Sequence, residues 1–149
     1  MQESNPSSPA LELIPAEQWS PVTLLQRAVH LRERAPSEGG SSSETLASYP
    51  RHAVMLSFRA QNGVAELHEN FADVFYVLEG QATLLTGGMV TDAVTVGQGE
   101  VRGSAVVGGT GLALAPGDVA HVPAGVPHQM LLPANTTLTC LVVKVQERF

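Results

Sequence analysis

From His52 to Val145 the apolar residues come in short alternating runs, and glycine or proline soon cuts each run. His52–Arg59 sets His52, Val54, Leu56 and Phe58 on one side and Ala53, Met55, Ser57 and Arg59 on the other. Asp73–Leu78 ends at Glu79-Gly80, Gln81–Leu85 at Thr86-Gly87-Gly88, and Leu112–Ala115 at Pro116-Gly117. Val119–Val122 stops at Pro123, and His128–Leu132 and Thr136–Val145 complete the series. A period of two is the mark of a strand, and turn residues this closely spaced leave no room for long helices. About seven to ten short strands in roughly a hundred residues define an all-β sandwich or barrel. Met89–Gly109 is more weakly patterned, and two short strands are expected around Val101–Val107.

The chain before this region has a different texture. Residues 1–9 are polar and rich in Pro and Ser, and are expected to be a disordered tail. Residues 10–45 read as an N-terminal arm, and 46–149 as the barrel. Within the arm, Ser20-Pro21 is a helix start, with Ser as N-cap and Pro at the first helical position. Apolar residues at Val22, Leu25, Ala28, Val29 and Leu31 predict a helix from Pro21 to about Arg34, with Leu24 off the stripe. Arg27, Arg32, Glu33 and Arg34 are expected on a solvated face, and Ala35–Ser43 as a Gly/Ser loop.

At 149 residues the chain suits one domain with one core, and 44% hydrophobic against 15% charged residues means that most of it packs. A net charge of −6 with a single lysine, Lys144, provides no basic patch, which argues against nucleic acid and anionic membranes as partners. No stretch approaches the ~20 apolar residues of a membrane span. The polar N-terminus fits either a cytoplasmic chain or an exported one whose signal peptide has been removed. The lone Cys140, inside an alternating run, is expected to be a small buried hydrophobe.

The chemistry concentrates between Gly63 and Gly80. Glu66 and His68 stand two apart, so a strand points them to one face, and Asp73 joins them if the chain turns at Glu69–Ala72. A second segment, Gly117–His128, places Gly, five residues, Pro, one, Gly, two, then His128. This segment resembles the second motif of the cupin family, except that its final Asn falls at Leu132. The first stretch is similar to the first cupin motif, with Asp73 and Gly80 matching its Glu and Gly, His68 its second His, and Glu66 in the place of its first. The resemblance covers roughly residues 50–145, with an inserted hairpin near Val90–Arg102. It implies a double-stranded β-helix, the jelly-roll barrel of cupins, assembled as a homodimer. It also implies one divalent metal inside the barrel, held by Glu66, His68, Asp73 and His128.

Two carboxylates would leave such a centre neutral, a weaker Lewis acid than a three-histidine site. Oxygen-rich ligation favours manganese, iron(II) or magnesium, with zinc and nickel as alternatives. Glu66 reads equally as a ligand or as a rim carboxylate bonded to a neighbour. Were it to swing away, His68, Asp73 and His128 would form a two-His, one-carboxylate set. His121 is expected as a wall or supporting residue, Tyr76 as core, and Phe58, Phe75 and Met130 as core or pocket wall. The readings of function are a small-molecule metalloenzyme of oxygenase, isomerase or lyase type, and a non-catalytic cupin that binds or senses a small ligand. A plain β-domain whose arm swaps onto a partner would account for residues 10–35 but not for the converging polar groups.

Overall fold

A computed structural model describes residues 14–149; the expected disordered tail lies outside them. Helix α1 (Pro21–Arg34) begins as its sequence dictates: the Ser20 hydroxyl accepts from the Thr23 amide at 3.1 Å, and Pro21 takes the first position. Its buried stripe is Leu24, Ala28 and Leu31, continued by Ala35: Ala28 and Leu31 are as expected, but Leu24 is buried in place of Leu25, and Val22 and Val29 are exposed. The spacing of four, three and four follows one side of the helix more closely than the Val22–Val29 set does. That side packs on Leu56 and Phe58, with Trp19, Leu46, Leu78 and Leu141 around it. The expected solvated charges are partly engaged as well: Arg27 pairs with Glu44, and Arg32 lies over the Phe58 ring.

After a 3-10 turn at Ala35–Glu38 come thirteen strands among the described residues. They are β1 (Ser41–Ser48), β2 (His52–Arg59), β3 (Ala65–His68), β4 (Phe71–Gly80), β5 (Ala82–Thr86), β6 (Met89–Val90) and β7 (Val94–Gly97). There follow β8 (Glu100–Gly103), β9 (Val106–Val107), β10 (Thr110–Leu114), β11 (Val119–Val122), β12 (His128–Leu131) and β13 (Leu138–Gln146). One sheet has the order β1-β2-β13-β4-β11, a second β10-β5-β12-β3-β8-β7, and β6 pairs with β9. The fold is all-β with one short N-terminal helix, as expected. Two regions differ in detail. The serine-rich segment expected as loop starts β1 at Ser41, because β2 supplies a register, Ser41 opposite Arg59 and Ser43 opposite Ser57, that serines do not advertise themselves. In Met89–Gly109, β8 and β9 are the two strands expected around Val101–Val107, and β6 and β7 precede them unannounced by the sequence.

The interior between the sheets is filled by Val77, Leu84, Leu114, Val122, Met130, Leu138, Cys140 and Val142. Strand alternation assigns the faces: on β2, Leu56 and Phe58 meet the helix, and Met55 meets the barrel core. Cys140 is buried as expected, and burial pushes its thiol up to about 12. No described helix is long and apolar enough to cross a membrane.

Candidate metal centre

Cross-strand register brings the polar cluster together. Glu66 and His68 alternate onto the inner face of β3, and His128 at the start of β12 stands directly opposite Glu66. On the other side of β3, β8 sets Arg102 opposite Glu66 and Glu100 opposite His68. The chain then turns through Glu69-Asn70 into β4, which belongs to the facing sheet, and Asp73 reaches back. Its partner across β13 is Lys144. All four residues singled out in the sequence therefore meet in one place.

The distances suit a common ligand. Asp73 Oδ2 lies 3.3 Å from His68 Nε2 and 3.5 Å from His128 Nε2. Glu66 Oε2 is 3.8 Å from each of the same nitrogens. One ligand atom from each of Glu66, His68 and His128 falls within 4.8 Å of the others. Atoms bonded to one metal at about 2.1 Å are separated by about 3.0–3.4 Å across an octahedral or tetrahedral edge, so Glu66, His68 and His128 would have to draw together to share an ion, and Asp73 touches both imidazoles but lies outside that mutual group.

Each imidazole is held at its far nitrogen. His68 Nδ1 is held by the Glu100 carboxylate, and His128 Nδ1 sits 3.1 Å from the Val126 carbonyl oxygen. Both Nε2 atoms are buried and make no well-aligned hydrogen bond, their nearest carboxylate oxygen being the single Asp73 Oδ2 that they share. A buried nitrogen without a good hydrogen bond is costly, and two of them facing two carboxylates is the arrangement that a cation would satisfy. The residues fit a divalent metal.

Charge is tightly coupled here. Burial disfavours the charged form of Asp73, but His128, His68 and Lys144 outweigh it and hold the carboxyl far below the usual carboxylate range. Burial likewise opposes charge on His68, yet Asp73 and Glu100 on either side hold its pKa above the ordinary 6.5. Lys144 Nζ is 2.9 Å from Asp73 Oδ1, so one oxygen is anchored and the other faces the imidazoles. The neutral centre expected from Glu66 and Asp73 alone thus has a cation built against it.

Glu100, Arg102 and Lys144 escaped the sequence reading. Lys144 stood out only as the single lysine, and the insertion that carries Glu100 and Arg102 is weakly patterned. His121 is corrected: β11 buries Ala120 and Val122, so His121 alternates outward and is exposed. Tyr76 is not core but 40% exposed, on the face of β4 opposite Asp73. Phe58 belongs to the helix-facing cluster, while Phe75 and Met130 line the barrel cavity.

An interior cluster of imidazoles and carboxylates in a two-sheet β-barrel is the class of protein that the fold and site define. No protein-family profile matches the chain, and no curated protein does. Solved structures do. The DMSP lyase DddQ from Ruegeria pomeroyi is similar at a TM-score of 0.54 and 16% identity, covering 76% of this chain and 50% of its own. A double-stranded β-helix protein from Klebsiella pneumoniae has a TM-score of 0.55 and 16% identity, covering 75% and 82%. A cupin-superfamily sugar phosphate isomerase from Silicibacter pomeroyi has a TM-score of 0.51 and 23% identity, covering 78% and 64%. The chain thus spans about half the length of the lyase. At these identities the likeness shows the fold alone: this chain has the double-stranded β-helix fold of these structures.

Proposed function

We propose that this chain binds one divalent metal through Glu66, His68, Asp73 and His128, and works on a small organic molecule in the barrel. The observation that carries the reading is the pair of buried Nε2 atoms that make no well-aligned hydrogen bond and whose opposite ring nitrogens are already held. Two nitrogens and two carboxylates favour manganese or iron(II) over copper. When bound, such a metal supplies Lewis acidity. The chain's own groups have separable tasks. Lys144 anchors Asp73, Glu100 orients His68, and Arg102, 3.7 Å from Glu66 Oε1, restrains Glu66. Similar folds include a lyase and an isomerase, which supports small-molecule chemistry without selecting a reaction.

Elemental analysis of protein produced with manganese or iron(II) is expected to show about one metal per chain. Protein that emerges metal-free and takes up neither ion in titration would overturn the reading. The Lys144–Asp73 ion pair favours a second reading, a metal-free barrel that binds a ligand without catalysis, and the same titration separates the two.

The protonation states make a further expectation. The raised His68 pKa contributes stability that is complete below 6.5 and lost as pH rises through the folded value. The depressed Asp73 pKa contributes stability present above 3.8 and lost as pH falls towards the folded value. Metal-free protein should therefore be most stable in mildly acidic solution, where both contributions are complete. Metal needs neutral imidazole, so its binding should strengthen as pH rises and move the maximum upward. Thermal melts across pH, with EDTA and with Mn²⁺, check this; coincident profiles would contradict it.

A further inference from the structure

Beside the cluster lies a cavity of about 40 Å³, bordered by Glu66 and His128, by Phe75 and Met130, and by Ser57 and Arg59. By the space that one buried water needs, it holds roughly three waters, enough for a short organic acid. Arg59 is the last residue of β2, opposite Leu138 of β13. Its guanidinium is packed so closely on Gly63 that a Cβ there would stand 3.1 Å from Nη1 and 3.3 Å from Cζ. Gly63 cannot retreat, since its amide donates to the Met130 carbonyl at 2.8 Å and its own carbonyl accepts from Gln129 Nε2 at 2.9 Å. A side chain at residue 63 would therefore press on the guanidinium, and glycine leaves Arg59 in place there.

What Arg59 lacks is a partner. Among the described residues it makes no ion pair within 4.0 Å and no side-chain hydrogen bond, while Arg27, Arg34 and Lys144 all have carboxylates. Glu66 is near enough to favour its charge but does not pair with it. Burial lowers its pKa, yet a guanidinium stays charged in a protein. A half-buried, uncommitted, five-donor fork at the cavity wall is a place for a planar anion.

We propose that Arg59 binds the carboxylate of a small organic acid whose other end points towards Glu66 and His128. This rests on the metal-centre reading for the second end only. A monoanion suits the wall better than a phosphate dianion, because it faces one guanidinium with the Glu66 carboxylate close by. Ser57, on the same face of β2, offers a hydroxyl to the second carboxylate oxygen.

The probes are acetate, glycolate and pyruvate, with pyruvamide and inorganic phosphate as comparisons, added to full-length protein with and without Mn²⁺. The readouts are the arginine Nε–Hε resonances, with Arg59 assigned through Arg59→Lys, and calorimetric affinity. Carboxylates are expected to shift the Arg59 resonance, pyruvamide to leave it in place, and Arg59→Gln to weaken pyruvate by about tenfold to a hundredfold with Mn²⁺ affinity kept. Equal pyruvate affinity in Arg59→Gln would overturn the proposal, as would phosphate binding more tightly than every carboxylate. Mn²⁺ uptake with no carboxylate effect at Arg59 would sink this inference alone. A carboxylate shift at Arg59 in protein that takes up no metal would sink the metal reading and support this one.

Discussion

Replacing His128 by alanine is expected to abolish Mn²⁺ uptake, a loss of at least about a hundredfold in affinity, while Glu66→Gln costs about tenfold. The two residues face each other across β12 and β3, but their situations differ. The His128 side chain is only 5% exposed, its Nδ1 is held by Val126, and its Nε2 has nowhere to turn. Glu66 is 29% exposed and divides its oxygens between the imidazoles and Arg102. An amide there keeps one oxygen for the metal and loses only charge. Mn²⁺ titration followed by electron paramagnetic resonance measures both variants, with circular dichroism showing that each is folded. Equal losses would make Glu66 a full ligand. Undiminished binding in His128→Ala would remove the metal centre altogether.

How much of this could be read from the chain depended on whether the information was local. Glu66 and His68 share a face because of a two-residue period, which needs no knowledge of neighbours. The same period divides Leu56 and Phe58 from Met55 on β2. Glu100 and Lys144 were hidden for the opposite reason: their partners are 32 and 71 residues away, so only sheet register reveals them. The helix stripe was misplaced because Leu24 and Leu25 are both apolar, and the sheet beneath, through Leu56 and Phe58, selects Leu24. Serines gave no alternation for β1, whose pairing is made by backbone groups. Arg59 stood in an alternating run like any exposed arginine, and only Gly63 folded against it shows where its guanidinium lies.

The glycine of the first motif makes the largest stability claim. Gly80→Ala is expected to destabilise the fold by about 3 kcal/mol or more. Its φ is +95°, which alone costs an alanine about 1–2 kcal/mol. Beyond that, a Cβ would stand 1.9 Å from the Thr137 carbonyl oxygen and 3.1 Å from Leu138 Cα. These are backbone atoms, so no rotamer relieves the overlap, and the start of β13 must move. That strand begins with Leu138, 3% exposed in the barrel core, and continues to Lys144 beside Asp73. Gly87→Ala separates the two contributions: φ is +81°, but nothing lies within 4 Å of its Cβ, so only the backbone cost of about 1–2 kcal/mol should appear. Urea unfolding of both variants tests the difference, and a Gly80→Ala loss no greater than that of Gly87→Ala would refute the overlap. Because the conflict is with β13 rather than with any ligand, the loss should be the same with and without Mn²⁺ in protein that still folds. The motif's glycine would then be a folding residue, and its one histidine, His68, and its carboxylates, Glu66 and Asp73, the chemical ones.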